Sequence, residues 1–217
     1  MQQVNTKSLS HTDYSSSFND SVFSEIPPHS LCLDVGCSSG NLGAALITQK
    51  GCRVQGVDIN PDALAQATQK GYEQVYVLDL IRDPGGLDMV ADSIFDCIIC
   101  ADVLEHLVNP ELILPILANK LRPGGTVIVS LPNVAFGLNR LHLLLGNWNY
   151  REYGIMDKTH LRFYTIQSGV GLVKESGFQI LKVRPYNQFG VLRYISPLHR
   201  IFPGFFAYQF IITAYKK

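Results

Sequence analysis

Four aspartates stand where short apolar runs end: Asp34 after LCL, Asp58 after RVQGV, Asp79 after QVYVL and Asp102 after FDCIICA. A carboxylate at the end of a buried strand is costly unless something pairs with it, and for Asp34 a ligand's ammonium group would serve. Asp58 can accept hydrogen bonds from both hydroxyls of a ribose. Asp79 reads either as a second ligand contact or as a helix cap. Gly36 and Gly40 let the chain turn tightly after Asp34, and the helix expected over Asn41 to Lys50 then aims its first amides at that turn, which makes a small-molecule cradle. Two histidines are placed to act as bases near neutral pH. His106 follows the fourth apolar run, and His160 sits in DKTHLRFYT beside Asp157 and Arg162. The bland alternatives are a histidine that only shapes the pocket for His106, and a capping or packing role for His160.

Glycine spacing separates the cofactors that use such a turn. A dinucleotide fingerprint, G-x-G-x-x-G, counted from Gly36 puts its second and third glycines at Ser38 and Asn41, so NAD is disfavoured. The stretch LCLDVGCSSGNLG instead resembles the first motif of the class I S-adenosylmethionine-dependent methyltransferases, matched by Asp34, Gly36 and Gly40, with Ser38 where that family more often has glycine. FDCIICADVLEHL resembles the fourth motif of the same family, and the resemblance runs from Ser30 to about Tyr186. It implies S-adenosylmethionine as cofactor, held by Asp34, Gly36, Cys37, Gly40, Asp58, Ile59, Asp79, Leu80 and Asp102, with Asp79 on the adenine amino group. It also implies an acceptor base, His106 or His160. Asp102, Glu105 and His106 have a D-x-x-E-H spacing similar to the metal-binding stretch of the ubiquinone-pathway O-methyltransferases, which begin it with glutamate. Many relatives carry the Glu-His pair without metal, and no metal is expected here.

The elements that must position these residues alternate. Strands are expected to begin near Leu31, Val54, Val75, Phe95 and Val127, with helices at NLGAALITQK, PDALAQATQK, weakly around Gly86 to Ala91, and at NPELILPILANKL. That interval suits parallel βαβ units, an α/β fold. Two further strands are expected at Gln179–Val183 and Tyr208–Tyr215. The family resemblance implies a Rossmann-like, doubly wound sheet of seven strands, mostly parallel, with an antiparallel last strand. The expected layout is a single domain: a cover segment over 1–30 carrying a short helix within His11–Phe23, a cofactor-binding core over 31–132, a lid insert over 133–165, and a helix with the last strands over 166–217.

Composition narrows the partners. Lysine plus arginine balance aspartate plus glutamate at 18 each, so no net field draws nucleic acid or an anionic membrane. After the fifth strand, SLPNVAF lacks the second proline of the block that holds flipped bases in DNA amino-methyltransferases. Five cysteines, an odd number, suit a reducing compartment, and Cys97 and Cys100, three apart in a strand, point to opposite faces and make a poor redox or zinc pair. No signal peptide or long apolar run is evident, so a cytoplasmic protein without stable membrane association is expected; a homodimer is compatible with all of this. The insert NRLHLLLGNWNYREYGIMDKTHLRFYT, with the only tryptophan, suits a substrate lid. LPN, GNWNY and DKTHLRFYT together resemble a branch of bacterial methyltransferases associated with glycan and cell-surface metabolism. The reading is methyl transfer to a small acceptor, an oxygen of a sugar, lipid-linked or quinone-like compound. Its rivals are a non-catalytic adenosyl-ligand-binding protein and an NAD-dependent oxidoreductase. The aromatic tail around Phe202, Phe205, Phe206 and Tyr208 is expected to cover the sheet edge and lid rather than bind a membrane.

Overall fold

The structure, a computed structural model, describes residues 18–187 and 202–216. The part of the expected N-terminal helix that precedes Phe18, and the tail from Arg193 to Ile201, lie outside the described residues. Seven strands form one sheet in the order β3-β2-β1-β4-β5-β7-β6. They are β1 (Leu31–Val35), β2 (Arg53–Asp58), β3 (Gln74–Val77), β4 (Phe95–Ala101), β5 (Leu121–Pro132), β6 (Phe178–Tyr186) and β7 (Gln209–Lys216). Only β7 runs against its neighbours, and it enters between β5 and β6, so β6 becomes the edge. The α/β sheet expected from the sequence is therefore present, with its reversed strand one position inside the edge.

The central strands carry apolar residues on both faces because helices cover both. Ile98 and Cys100 of β4 pack with Leu33, Leu114 and Leu117 in one layer, while Cys97 and Ile99 pack with Cys32, Leu46 and Leu64 in the other. All five cysteines are buried and free, as small hydrophobes are. The first layer is covered by α4 (Pro110–Lys120) and α6 (Ile166–Glu175), and the second by α1 (Asp20–Glu25), α2 (Asn41–Lys50) and α3 (Pro61–Gln69). Local chemistry sets their ends. Asn60 accepts from the amides of Asp62 and Ala63 to start α3, with Pro61 in its first turn, and Thr165 and Ser168 form a capping box on α6. The weak helix expected around Gly86 is a 3₁₀ turn, Pro84–Met89, since Gly85 and Gly86 disfavour a full helix and Asp83 accepts from the Gly86 amide instead. β5 begins at Leu121, well before Val127, its early residues joining the sheet through an irregularity opposite Phe95 and Cys97.

Strand order reverses between β1 and β4, which opens a crevice beyond their carboxyl ends. The glycine turn beside it is shaped as much by a tyrosine as by any ligand. Tyr72, just after α3, donates its phenol proton to Asp34 Oδ2 at 2.6 Å. Its ring lies across three glycines: a Cβ on Gly43 would meet Tyr72 Oη at 2.1 Å, one on Gly40 would meet Cε2 at 2.7 Å, and one on Gly56 would meet Cδ1 at 2.9 Å. Gly40 thus makes room for Tyr72 and Ala67, and Asp34, 3% exposed, is partnered from within the chain.

Burial pushes the Asp34 carboxyl up to about 7, against the pull of the Tyr72 hydrogen bond and with a smaller push from Asp58. A carboxyl whose folded-state pKa is raised gives stability that is complete below its unfolded value of about 3.9 and is lost as pH rises through the folded value. Melting of the ligand-free protein between about pH 5 and about pH 8.5 should show Asp34→Asn gaining on the wild type as pH rises to about 7 and holding a constant lead above it; a difference independent of pH would show that Asp34 stays ionised throughout.

Candidate active site

A cavity of about 290 Å³ occupies the crevice, at the lower end of the range for small-ligand sites. Gly36, Asp58, Ile59, Asp79, Leu80, Asp102 and His106 all line it, together with Val103 and Leu107. Asp34, Cys37 and Gly40 are not among its lining residues; they form the layer behind the turn.

Each lining carboxylate is oriented by the backbone. Asp58 Oδ2 accepts from the Ser38 amide at 2.8 Å and Oδ1 from the Asn60 amide at 2.9 Å, so one residue ties the glycine turn to the start of α3. A carboxylate has about four acceptor sites, which leaves Asp58 capacity for a ligand's hydroxyls. Asp79 Oδ1 accepts from the amides of Ile81 and Arg82 at 3.0 and 3.1 Å, the capping role set against a ligand role in the sequence, and yet the residue still faces the cavity. Between these two acids stands Ile59, 60% exposed, with Leu80 nearby. Apolar walls with carboxylates at the rim suit the adenosine portion of S-adenosylmethionine, its base between aliphatic side chains and its ribose on Asp58. The residues present fit that cofactor.

Asp102 is built differently. Its φ of 56° lies in the left-handed region, an uncommon conformation for a residue other than glycine, and neighbouring contacts hold it there. Its amide donates to Ser130 Oγ at 3.1 Å, while Oδ1 accepts from Ser130 Oγ at 2.8 Å and from the Gln209 side-chain amide. Burial raises its pKa and these two hydrogen bonds draw it back. Gln209 is the first residue of β7, so the antiparallel strand supplies a member of the site that lies far away in sequence.

On the far side of Asp102 the two candidate bases meet. The rings of His106 and His160 lie 4.8 Å apart, edge to face. Thr159 Oγ1 donates to Asp157 at 2.7 Å, so His106 Nδ1, 3.3 Å from both Thr159 oxygens, is the donor in that contact. His160 Nδ1 donates to the Ile155 carbonyl at 3.1 Å, which leaves the Nε2 lone pair free. Behind the rings sits Glu105, 1% exposed, with neither carboxyl oxygen hydrogen-bonded among the described residues and Oε1 4.0 Å from His160 Nε2. Burial and the nearby Asp102 push the Glu105 carboxyl well above the usual range. Its backbone carbonyl accepts the amides of Leu161 and Arg162 at 2.8 and 3.0 Å, and this docks the insert that follows β5 onto the segment after β4.

One atom each from Glu105, His106 and His160 lies within 4.8 Å of the others, a set that a divalent cation could take. Asp102, which the D-x-x-E-H spacing would add, is turned instead toward Ser130 and Gln209. Sequence reasoning passed over Tyr72, Ser130 and Gln209, whose roles depend on contacts distant along the chain. Glu105 entered only through its spacing, although a glutamate inside an apolar stretch was the available signal.

Ser38 occupies the left-handed region at φ 48°, where the family more often has glycine. Such a conformation costs a residue with a Cβ about 1–2 kcal/mol, while glycine loses roughly 0.5–1 kcal/mol to entropy. Ser38→Gly should therefore leave thermal stability unchanged or raise it by up to about 1 kcal/mol; a clear loss in thermal melts would show that the serine side chain itself holds the turn.

Known proteins resemble this chain along most of its length. A family profile described as a methyltransferase domain matches residues 16–183. The chain is 30% identical over 154 residues to the ubiquinone biosynthesis O-methyltransferase of Azoarcus sp. (strain BH72), a match covering 67% of this chain and 66% of that protein. It is 37% identical over 103 residues to the ubiquinone biosynthesis O-methyltransferase of Xylella fastidiosa (strain 9a5c), covering 46% of this chain and only 41% of that one. The crystal structure of an S-adenosylmethionine-dependent methyltransferase from Mesorhizobium loti superposes with a TM-score of 0.64 at 15% identity, over 90% of this chain and 95% of that one, and shows the same fold. With its acid-lined crevice, its strand order and these matches, the chain belongs to the class I S-adenosylmethionine-dependent methyltransferases.

Proposed function

We propose that this protein moves a methyl group from S-adenosylmethionine to an oxygen of a small-molecule acceptor, with His160 as the base. The observation that carries this reading is the free Nε2 of His160, whose ring meets that of the cavity-lining His106 and which is backed by the buried Glu105; His160 itself is not a lining residue. The O-methyltransferase names of the two relatives favour oxygen. When bound, S-adenosylmethionine supplies an activated methyl on a sulfur that leaves readily, so the protein's tasks are alignment, exclusion of water and removal of the acceptor's proton. Asp58 and Asp79 would hold the adenosine end, and Asp102, fixed by Ser130 and Gln209, would face its polar groups. Burial lowers the pKa of His160, partly offset by the Ile155 carbonyl, so the ring is neutral at pH 7. The lid keeps it dry: its side chain is 7% exposed, and Phe163 lies 6.1 Å from its ring.

A second reading is favoured by the unpartnered Glu105 carboxyl. A divalent cation on Glu105, His106 and His160 would lower the acceptor's pKa in place of a base. No helix among the described residues is long and apolar enough to cross a membrane.

Hydrogen bonds to a charged acceptor are worth about 1.5–3 kcal/mol, so Asp58→Ala should weaken S-adenosylhomocysteine binding roughly 10- to 150-fold by calorimetry. Unchanged affinity would remove Asp58 from the site. Once an acceptor is in hand, His160→Ala should lower turnover about 10²- to 10⁴-fold with cofactor affinity nearly intact. Turnover that survives a chelator supports the base; turnover that fails with chelator and returns with added cation supports the second reading.

A further inference from the structure

The lid carries a second recess, of about 280 Å³, that the methyl-transfer reading does not use. It is formed by Asn139 and His142 of α5 (Gly137–Leu144) and by Asn147, Trp148, Asn149 and Arg151 of the loop that follows. Its polar groups are open to a ligand. Among the described residues, the His142 ring, the Asn149 amide and the Arg151 guanidinium have no hydrogen bond or ion pair within the chain, and the nearby Glu152 carboxylate is engaged by Lys158 at 2.6 Å. The amide nitrogens of Asn139 and Asn147 reach backbone carbonyls only at 3.4 Å, which leaves their oxygens as acceptors.

The site is also rigidly framed. The Arg151 amide donates to the Met156 carbonyl at 2.8 Å and the Arg151 carbonyl accepts from the Lys158 amide at 2.9 Å, so a closed turn pins the backbone that presents the guanidinium. Trp148, 40% exposed, is braced edge-on by Phe163 with ring centroids 5.3 Å apart. Phe163 in turn neighbours His160, so a short run of rings joins this recess to the histidine pair at the cavity.

A half-exposed indole gives a flat apolar platform for one face of a ring, and several side-chain amides offer both donors and acceptors to hydroxyls around its edge. An uncompensated guanidinium is the group that best matches a carboxylate or phosphate, which it can bind through two parallel hydrogen bonds. A flat, uncharged quinol-like ring would use the indole and leave Arg151 and the amides unpaired. We infer that this recess is an acceptor subsite for an anionic hexose, a sugar ring bearing a carboxylate or phosphate, lying on Trp148 with its anion on Arg151. This rests on the methyl-transfer reading for its purpose, not for its binding chemistry.

Trp148 is the only tryptophan in the chain, so indole fluorescence reports this recess directly. The full chain, saturated with S-adenosylhomocysteine, is titrated with glucuronate, glucose 1-phosphate, glucose and catechol, a flat ring uncharged at neutral pH. A saturable change in Trp148 emission is expected with glucuronate or glucose 1-phosphate, at a Kd at least about 10-fold below that of glucose, and Arg151→Ala should weaken it by roughly 10-fold or more. Calorimetry on the same variant should give unaltered S-adenosylhomocysteine affinity, which also shows that it is folded. No saturable change, equal binding of glucose or catechol, or an Arg151→Ala variant that binds like the wild type would each overturn the subsite. Absence of S-adenosylhomocysteine binding with sugar binding intact would count against the methyl-transfer reading alone.

Discussion

Everything on the cofactor side of this molecule depends on how a carboxyl at the end of the most buried strand is kept satisfied. Asp34 is the penultimate residue of β1, with β2 and β4 hydrogen-bonded on either side, and has almost no exposure. Tyr72 supplies its hydrogen bond, and to reach it the ring must pass over Gly40, Gly43 and Gly56. Any side chain at those positions would displace the ring and leave a buried carboxyl unpaired, at a cost of about 1–3 kcal/mol. The small residues of the turn are therefore required by internal packing, and the open turn that a cofactor uses follows from the same requirement. Asp58 completes the arrangement by tying the Ser38 amide to the entry of α3.

A second tie joins floor to lid. The carbonyl of Glu105 receives two successive amides of the insert after β5, while its side chain lies against the histidine pair, with Oε1 4.0 Å from His160 Nε2. Because one residue both docks the lid and faces the chemistry, the position of His160 relative to His106 is set by backbone geometry rather than by flexible side-chain contacts. Asp102 is held differently, by the side chains of Ser130 on β5 and Gln209 on β7. The only reversed strand of the sheet thus has a consequence at the site.

These ties also mark what a single sequence can and cannot disclose. Asp58, Asp79 and Asp102 were legible because each ends an apolar run, and strand ends in a doubly wound sheet converge. His106 and His160 were legible as residue types, but their meeting was not, since nothing local connects the turn after β4 to a lid more than fifty positions later. Asp34 was read as waiting for a ligand's ammonium group because Tyr72, its actual partner, belongs to another βα unit. β7 was foreseen as antiparallel; its insertion between β5 and β6 depends on non-local pairing that periodicity does not encode. The 3₁₀ turn at Pro84–Met89 followed from glycines visible in the sequence and discounted there.

In the proposed function the acidic strand ends form one adenosyl cradle that opens toward the histidine pair. A crystal structure of the protein with S-adenosylhomocysteine tests it most directly. The ribose hydroxyls are expected on Asp58, the adenine between Ile59 and Leu80 with its amino group at Asp79, and the sulfur on the His106 side of the cavity. A ligand bound elsewhere, or with its ribose away from Asp58, would contradict it.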